Sequence, residues 1–160
     1  MKISRSLMAI GLSLLILAFT QQGRAADDKD EREVAAFRLD MAKVNRFAAA
    51  SKSMVQYQKE HNEVKESEDS DQNPQTLDAM VRKMNTHPAF VKIIQNAGMT
   101  PREYALTTLS LVTTGMAVSM KKQGALKEYP PSVSRENAAF VEQNYDKIEG
   151  LMKGLQESQK

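Results

Sequence analysis

Thr100-Pro101-Arg102-Glu103-Tyr104-Ala105-Leu106-Thr107-Thr108-Leu109-Ser110-Leu111-Val112-Thr113-Thr114-Gly115-Met116-Ala117-Val118-Ser119-Met120-Lys121-Lys122 is the stretch that decides the fold. The threonine is a helix cap, proline suits the first helical position, and the glutamate three residues after the cap can reach back to the cap's amide. A helix therefore begins at 101. From Tyr104 to Met120 it carries no charge and is apolar on more than one side. It closes at Lys121 and Lys122, two cations beside the negative end of the helix dipole, just ahead of Gly124. The pattern predicts a central, most buried helix over 101–122. Its 17 uncharged residues are too few for a membrane span, and Thr107, Thr108, Ser110, Thr113, Thr114, Gly115 and Ser119 make it too polar. These small side chains instead let a neighbouring helix come close, with hydroxyls bonding carbonyls of the preceding turn. A ligand cavity lined by those hydroxyls is the alternative reading.

Before this helix, Val34, Phe37, Met41, Val44, Ala48, Ser51 and Val55 recur in steps of three and four, one seam of a long amphipathic helix over about 33–64. Leu77, Met80, Val81 and Met84 form the next stripe. His87-Pro88 interrupts it, because proline disfavours helical geometry in the residue before it. Phe90, Val91, Ile93 and Ile94 resume it up to Asn96-Ala97-Gly98, giving a second element over 77–96 broken near 87. After the central helix, Leu126–Val133 contains Pro130-Pro131 and is stiff and extended, lying across the end of a bundle or, alternatively, offering a polyproline motif to a partner. Ser134 caps a last helix over 135–156, whose Ala138, Val141, Tyr145, Ile148, Met152 and Leu155 repeat the three–four alternation. The expected architecture is all-α: an antiparallel four-helix bundle with a broken second helix, in a single domain over 26–160.

The first 25 residues read differently. Lys2 and Arg5 precede an apolar run from Leu7 to Phe19, and Gly23-Arg24-Ala25 places small residues ahead of Ala26 and the acidic Asp27-Asp28. This is the pattern of a secretory signal peptide cut before Ala26, with no cysteine after the cut to carry a lipid. A periplasmic or secreted location follows. The cut removes Lys2, Arg5 and Arg24 and no acid, taking the formal charge from +2 to −1. A near-neutral chain lacks the broad positive field that nucleic acid or anionic lipid calls for.

With no cysteine and no tryptophan but ten methionines, the core rests on Leu, Val, Ile, Ala and Met packing. Thiol catalysis, Cys-x-x-Cys-His haem attachment and cysteine-ligated zinc are excluded. The two histidines form no His-Glu-x-x-His, and neither has the glutamate three residues before it that a di-iron bundle needs. Neither Gly-x-Ser-x-Gly nor a phosphate-cradling glycine loop occurs. An enzyme is disfavoured on these grounds. His61, within Glu60-His61-Asn62-Glu63, reads as a solvated residue near the polar end of the first helix. Glu66–Pro74 is acidic and rich in turn formers, and reads as a solvated loop; a calcium loop would need the regular ligand alternation, central Gly and closing Glu that it lacks.

One constellation has a specific chemistry. Met80, Met84 and His87, spaced by four and three, fall on one helical face, and thioether and imidazole are ligands that soft copper(I) prefers. The competing reading is that methionines at this spacing pack a core and that His87 caps the next helix; the same logic assigns Met116 and Met120 to the core.

Asn96–Thr108, with Leu126–Pro131 beyond it, resembles a group of small exported bacterial helical proteins. The resemblance covers about a quarter of the chain; it implies export and helicity and brings no activity or ligand with it. The chain does not resemble the periplasmic chaperones built on Leu-Thr-x-x-Gln repeats, or the haem-carrying four-helix cytochromes. The reading that follows is a non-enzymatic periplasmic helical protein. It binds another envelope protein or a small apolar ligand through the connections around Asp69 and Tyr129, bundle ends being free to vary. A copper-binding protein is the alternative, and an envelope enzyme with no identifiable catalytic set is a further one. A homodimer is expected if an apolar strip stays uncovered.

Overall fold

A computed structural model describes residues 24–61 and 76–158. Among the described residues all regular structure is helical: α1 (Arg24–Ala36), α2 (Met41–Glu60), α3 (Leu77–Asn85), α4 (Pro88–Asn96), α5 (Pro101–Lys122), α6 (Arg135–Gln143) and α7 (Tyr145–Ser158). No helix among them is long and apolar enough to cross a membrane. The leader through residue 23, and the acidic Glu66–Pro74 with Asp69, lie outside the described residues.

The central helix starts as its sequence requires. The Thr100 hydroxyl accepts from the Glu103 amide at 3.1 Å while the Glu103 carboxylate accepts from the Thr100 amide at 2.8 Å, so two orphan amides are satisfied at once. Gly98 (φ +78°) turns the chain out of α4 into this cap, and Gly124 (φ +74°) ends α5, both in the left-handed region where a side chain is strained. The hydroxyls of Thr107, Thr108 and Thr113 donate to the carbonyls of Glu103, Tyr104 and Leu109, one turn back. These three threonine hydroxyls are thus satisfied inside their own helix, while the buried Ser110 donates across to the Val34 carbonyl of α1 at 3.4 Å.

α5 packs against α1, α2, α3, α4 and α6, while α2 packs against α4 and α7 as well. The largest apolar cluster joins α2, α4, α5, α6 and α7, with Val44, Ile94, Val118 and Val141 fully enclosed. A second cluster joins α1, α3 and α5 through Val34, Leu77, Met80, Ala105 and Leu106, and a third seats Val133 against Ala117 and Ala138.

Two elements differ from expectation. The helix expected over 33–64 is interrupted: α1 stops at Ala36, and α2 restarts at Met41 behind Asp40, whose carboxylate accepts from the Lys43 amide at 2.8 Å. The backbone groups freed between them are taken up by one side chain from α6. Asn137, buried, donates through Nδ2 to the Phe37 carbonyl at 2.7 Å and accepts through Oδ1 from the Leu39 amide at 2.9 Å. Periodicity ran through this break because Phe37 and Leu39 still bury against the core from the connector. The helix expected over 135–156 is likewise divided at Asn144, whose side chain and backbone N–H both donate to the Phe140 carbonyl, at 2.8 and 3.1 Å. An asparagine competing for a helical carbonyl in this way favours a break over a continuous ladder. The break near His87, by contrast, stands where the Pro88 rule put it.

Arg102 ties three helices together at the surface. Its guanidinium donates to Glu33 of α1 through two nitrogens, at 2.8 and 2.7 Å, and to Asp78 of α3 at 2.8 Å; Lys29 adds a contact to Asp78 at 3.4 Å. The hydrogen bonds from Arg102 hold the carboxyl of Glu33 below its ordinary value, and those from Arg102 and then Lys29 do the same for Asp78. A lowered folded-state value means the contribution is present above the unfolded value of 4.5 for Glu33 and lost as pH falls through the folded one. Arg102→Met is therefore expected to flatten the acid limb: its melting midpoint falls less than that of the wild type between about pH 5 and pH 3. Parallel acid limbs would show that the three side chains are solvated separately.

Candidate interaction surface

The residues proposed for copper lie in unlike surroundings. Met80 is 5% exposed on α3, packed in the apolar cluster with Val34, Leu77, Ala105 and Leu106. Met84, half-buried one turn on, touches both this cluster and the larger one. His87 occupies the cap position of α4 without a side-chain capping bond, its ring 5.3 Å from that of Phe90. Ligation by all three would require drawing the Met80 sulfur out of its apolar cluster.

His87 does have another set of neighbours. Phe90 stands edge-on to Tyr57 of α2 at 6.0 Å, and Tyr57 stacks on His61 at 3.9 Å, so a row of four rings runs from the end of α2 to the start of α4 with a histidine at each end. His61, exposed, is the C-terminal cap residue of α2, and its Nδ1 lies 2.9 Å from the Tyr57 carbonyl. The four-residue step from Tyr57 to His61 carries the local part of this row in the sequence. The meeting with Phe90 depends on α2 and α4 packing together.

Tyr129, half-buried in the connection after α5, is held from two sides. Its hydroxyl donates to Glu142 of α6, and the Lys121 ammonium sits 4.2 Å from its ring centroid and 3.9 Å from the same carboxylate. Burial, and then the Glu142 carboxylate, push its hydroxyl up to about 12. Lys122 lies 3.8 Å over the ring of Tyr145. The two lysines that close α5 thus bind the connection and the start of α7, using ammonium–ring attraction that strengthens as water is excluded.

On another side of the same helix the sequence reading fails. Met116 and Met120, expected in the core, are 59% and 43% exposed, the exposed large apolar side chains among the described residues. They stand one turn apart on one face of α5, and an atom added at Gly115 beside them meets nothing within 4 Å. The cluster that joins α1 and α3 to α5 extends only to Leu109, so these helices cover the first half of that face and leave the second open. The arrangement offers two flexible, polarizable side chains on an uncharged helical ridge, a chemistry suited to taking up an apolar partner of variable shape. A separate open depression of about 330 Å³, between α1 and Pro131, is lined by Glu31, Arg32, Ala35 and Pro131.

Comparison with protein-family models, with curated proteins and with solved structures finds no match to this chain in any of the three.

Proposed function

We propose that the chain is an exported, non-enzymatic helical binding protein that takes an apolar helix of another envelope protein onto the Met116–Met120 face of α5. The observation that carries this reading is the exposure of those two side chains on a helix that is uncharged from Tyr104 to Met120. A ridge without charge gives a polar partner nothing to pair with and costs an apolar helix no desolvation of ions. The leader pattern of residues 1–25 supports export to the periplasm. In this reading α2, the α3–α4 pair, α5 and the α6–α7 pair act as the four segments of an antiparallel bundle. The packing of α2 on α4, α5 and α7, and of α5 on α3, α4 and α6, supports that grouping.

The test is a photo-crosslinking residue placed at 116 and, separately, at the exposed Lys153, in living cells. A discrete heavier adduct with a second protein at 116, absent at 153 and lost on Met120→Glu, is the expected result. Identical adducts at both positions, no adduct at 116, or an adduct of two copies of this chain would overturn it.

A further inference from the structure

We infer that Met116 and Met120 form a reversible oxidation site: they accept oxygen from hydroperoxide-class oxidants ahead of every methionine in the core. This goes beyond the binding reading and does not rest on it, since it concerns the chain by itself. With no cysteine and no tryptophan, the thioethers are the softest two-electron donors the chain possesses. Eight of the ten methionines fall among the described residues, and the fold sorts them. Met54, Met80 and Met99 are 7%, 5% and 5% exposed; Met41, Met84 and Met152 are half-buried; Met116 and Met120 stand at 59% and 43%.

Oxidation needs an oxidant in water to reach a sulfur lone pair, so exposure sets the order. In the step itself the thioether sulfur attacks one peroxide oxygen and the O–O bond breaks. Sulfur gives up two electrons and keeps that oxygen as the sulfoxide. The other oxygen, reduced, leaves after taking the proton, as water from hydrogen peroxide or as an alcohol from an organic hydroperoxide. The product is a polar, chiral side chain. In the cluster around Met80 such a group would lack partners and would disrupt packing. On the open face of α5 it meets solvent and leaves the fold intact. Sulfoxide reductases reverse the change, one enzyme for each sulfur configuration, so the site can be used repeatedly.

The test treats the full chain with hydrogen peroxide for limited times and maps sulfoxide on each methionine by peptide mass spectrometry, in buffer and in denaturing urea. The expected result in buffer is oxidation of Met116 and Met120 about tenfold faster than Met54, Met80 and Met99, following the ratio of their exposures. The helical signal and melting midpoint should be unchanged at that stage. In urea all sites should oxidise alike. Among the described methionines, Met116→Leu/Met120→Leu should pass the first oxidation to Met41, Met84 and Met152. Core methionines oxidising as fast as Met116 and Met120 in buffer, the same ranking persisting in urea, or loss of the cooperative melt once these two are oxidised would each overturn the inference.

Discussion

Replacing Asn137 by alanine is expected to lower the stability of the fold by about 2–4 kcal/mol, measured by urea denaturation. The side chain is 2% exposed and makes two hydrogen bonds, to the Phe37 carbonyl and from the Leu39 amide. Alanine removes both and leaves two backbone groups in a connector whose neighbours, Phe37 and Leu39, pack into the core. An orphaned buried backbone group costs about 1–3 kcal/mol, far more than the net gain from an average hydrogen bond, because the whole desolvation penalty is left uncompensated. A loss below about 1 kcal/mol would mean that water reaches the connector and replaces the amide.

The second large effect is expected at Ile94. It is fully buried on α4, in the cluster that joins five of the helices. Ile94→Ala deletes three carbons from a site enclosed on every side, and the expected loss is about 2–5 kcal/mol, the transfer energy of the missing methyl groups plus the cavity they leave. Met116→Ala provides the control: it also removes three heavy atoms, yet on an open face the change should stay within about 0.5 kcal/mol. If the two substitutions cost the same, α4 would not be part of the cooperative core.

These residues also mark the line between what is legible in the sequence and what is not. The bounds of α5 and the break before Pro88 follow from local chemistry, a capping box and a proline ring, each acting within four residues. The gap between α1 and α2 is set by Asn137, a hundred positions from Phe37. No window along the chain contains both. Asp40 was the available local sign, an N-cap hidden inside a hydrophobic seam that stays in step across the gap. The candidate surface was illegible for a related reason. A helix without charge reads as buried all round, and only the length of its neighbours decides which turns remain open. At Met80 the sequence supported two readings, copper ligand and core side chain, and the structure places it among carbon atoms.

The same asparagine has a consequence for the order of events when the chain is made. Synthesis delivers Phe37 and Leu39 long before Asn137, whose bonds to them span 100 and 98 residues. Until Asn137 emerges, the joint between α1 and α2 lacks the side chain that takes up its open backbone groups. The joint therefore stays unlocked while α2 to α5 are made, and it closes only with the arrival of α6, so that the locking of α1 onto α2 is a late event in folding.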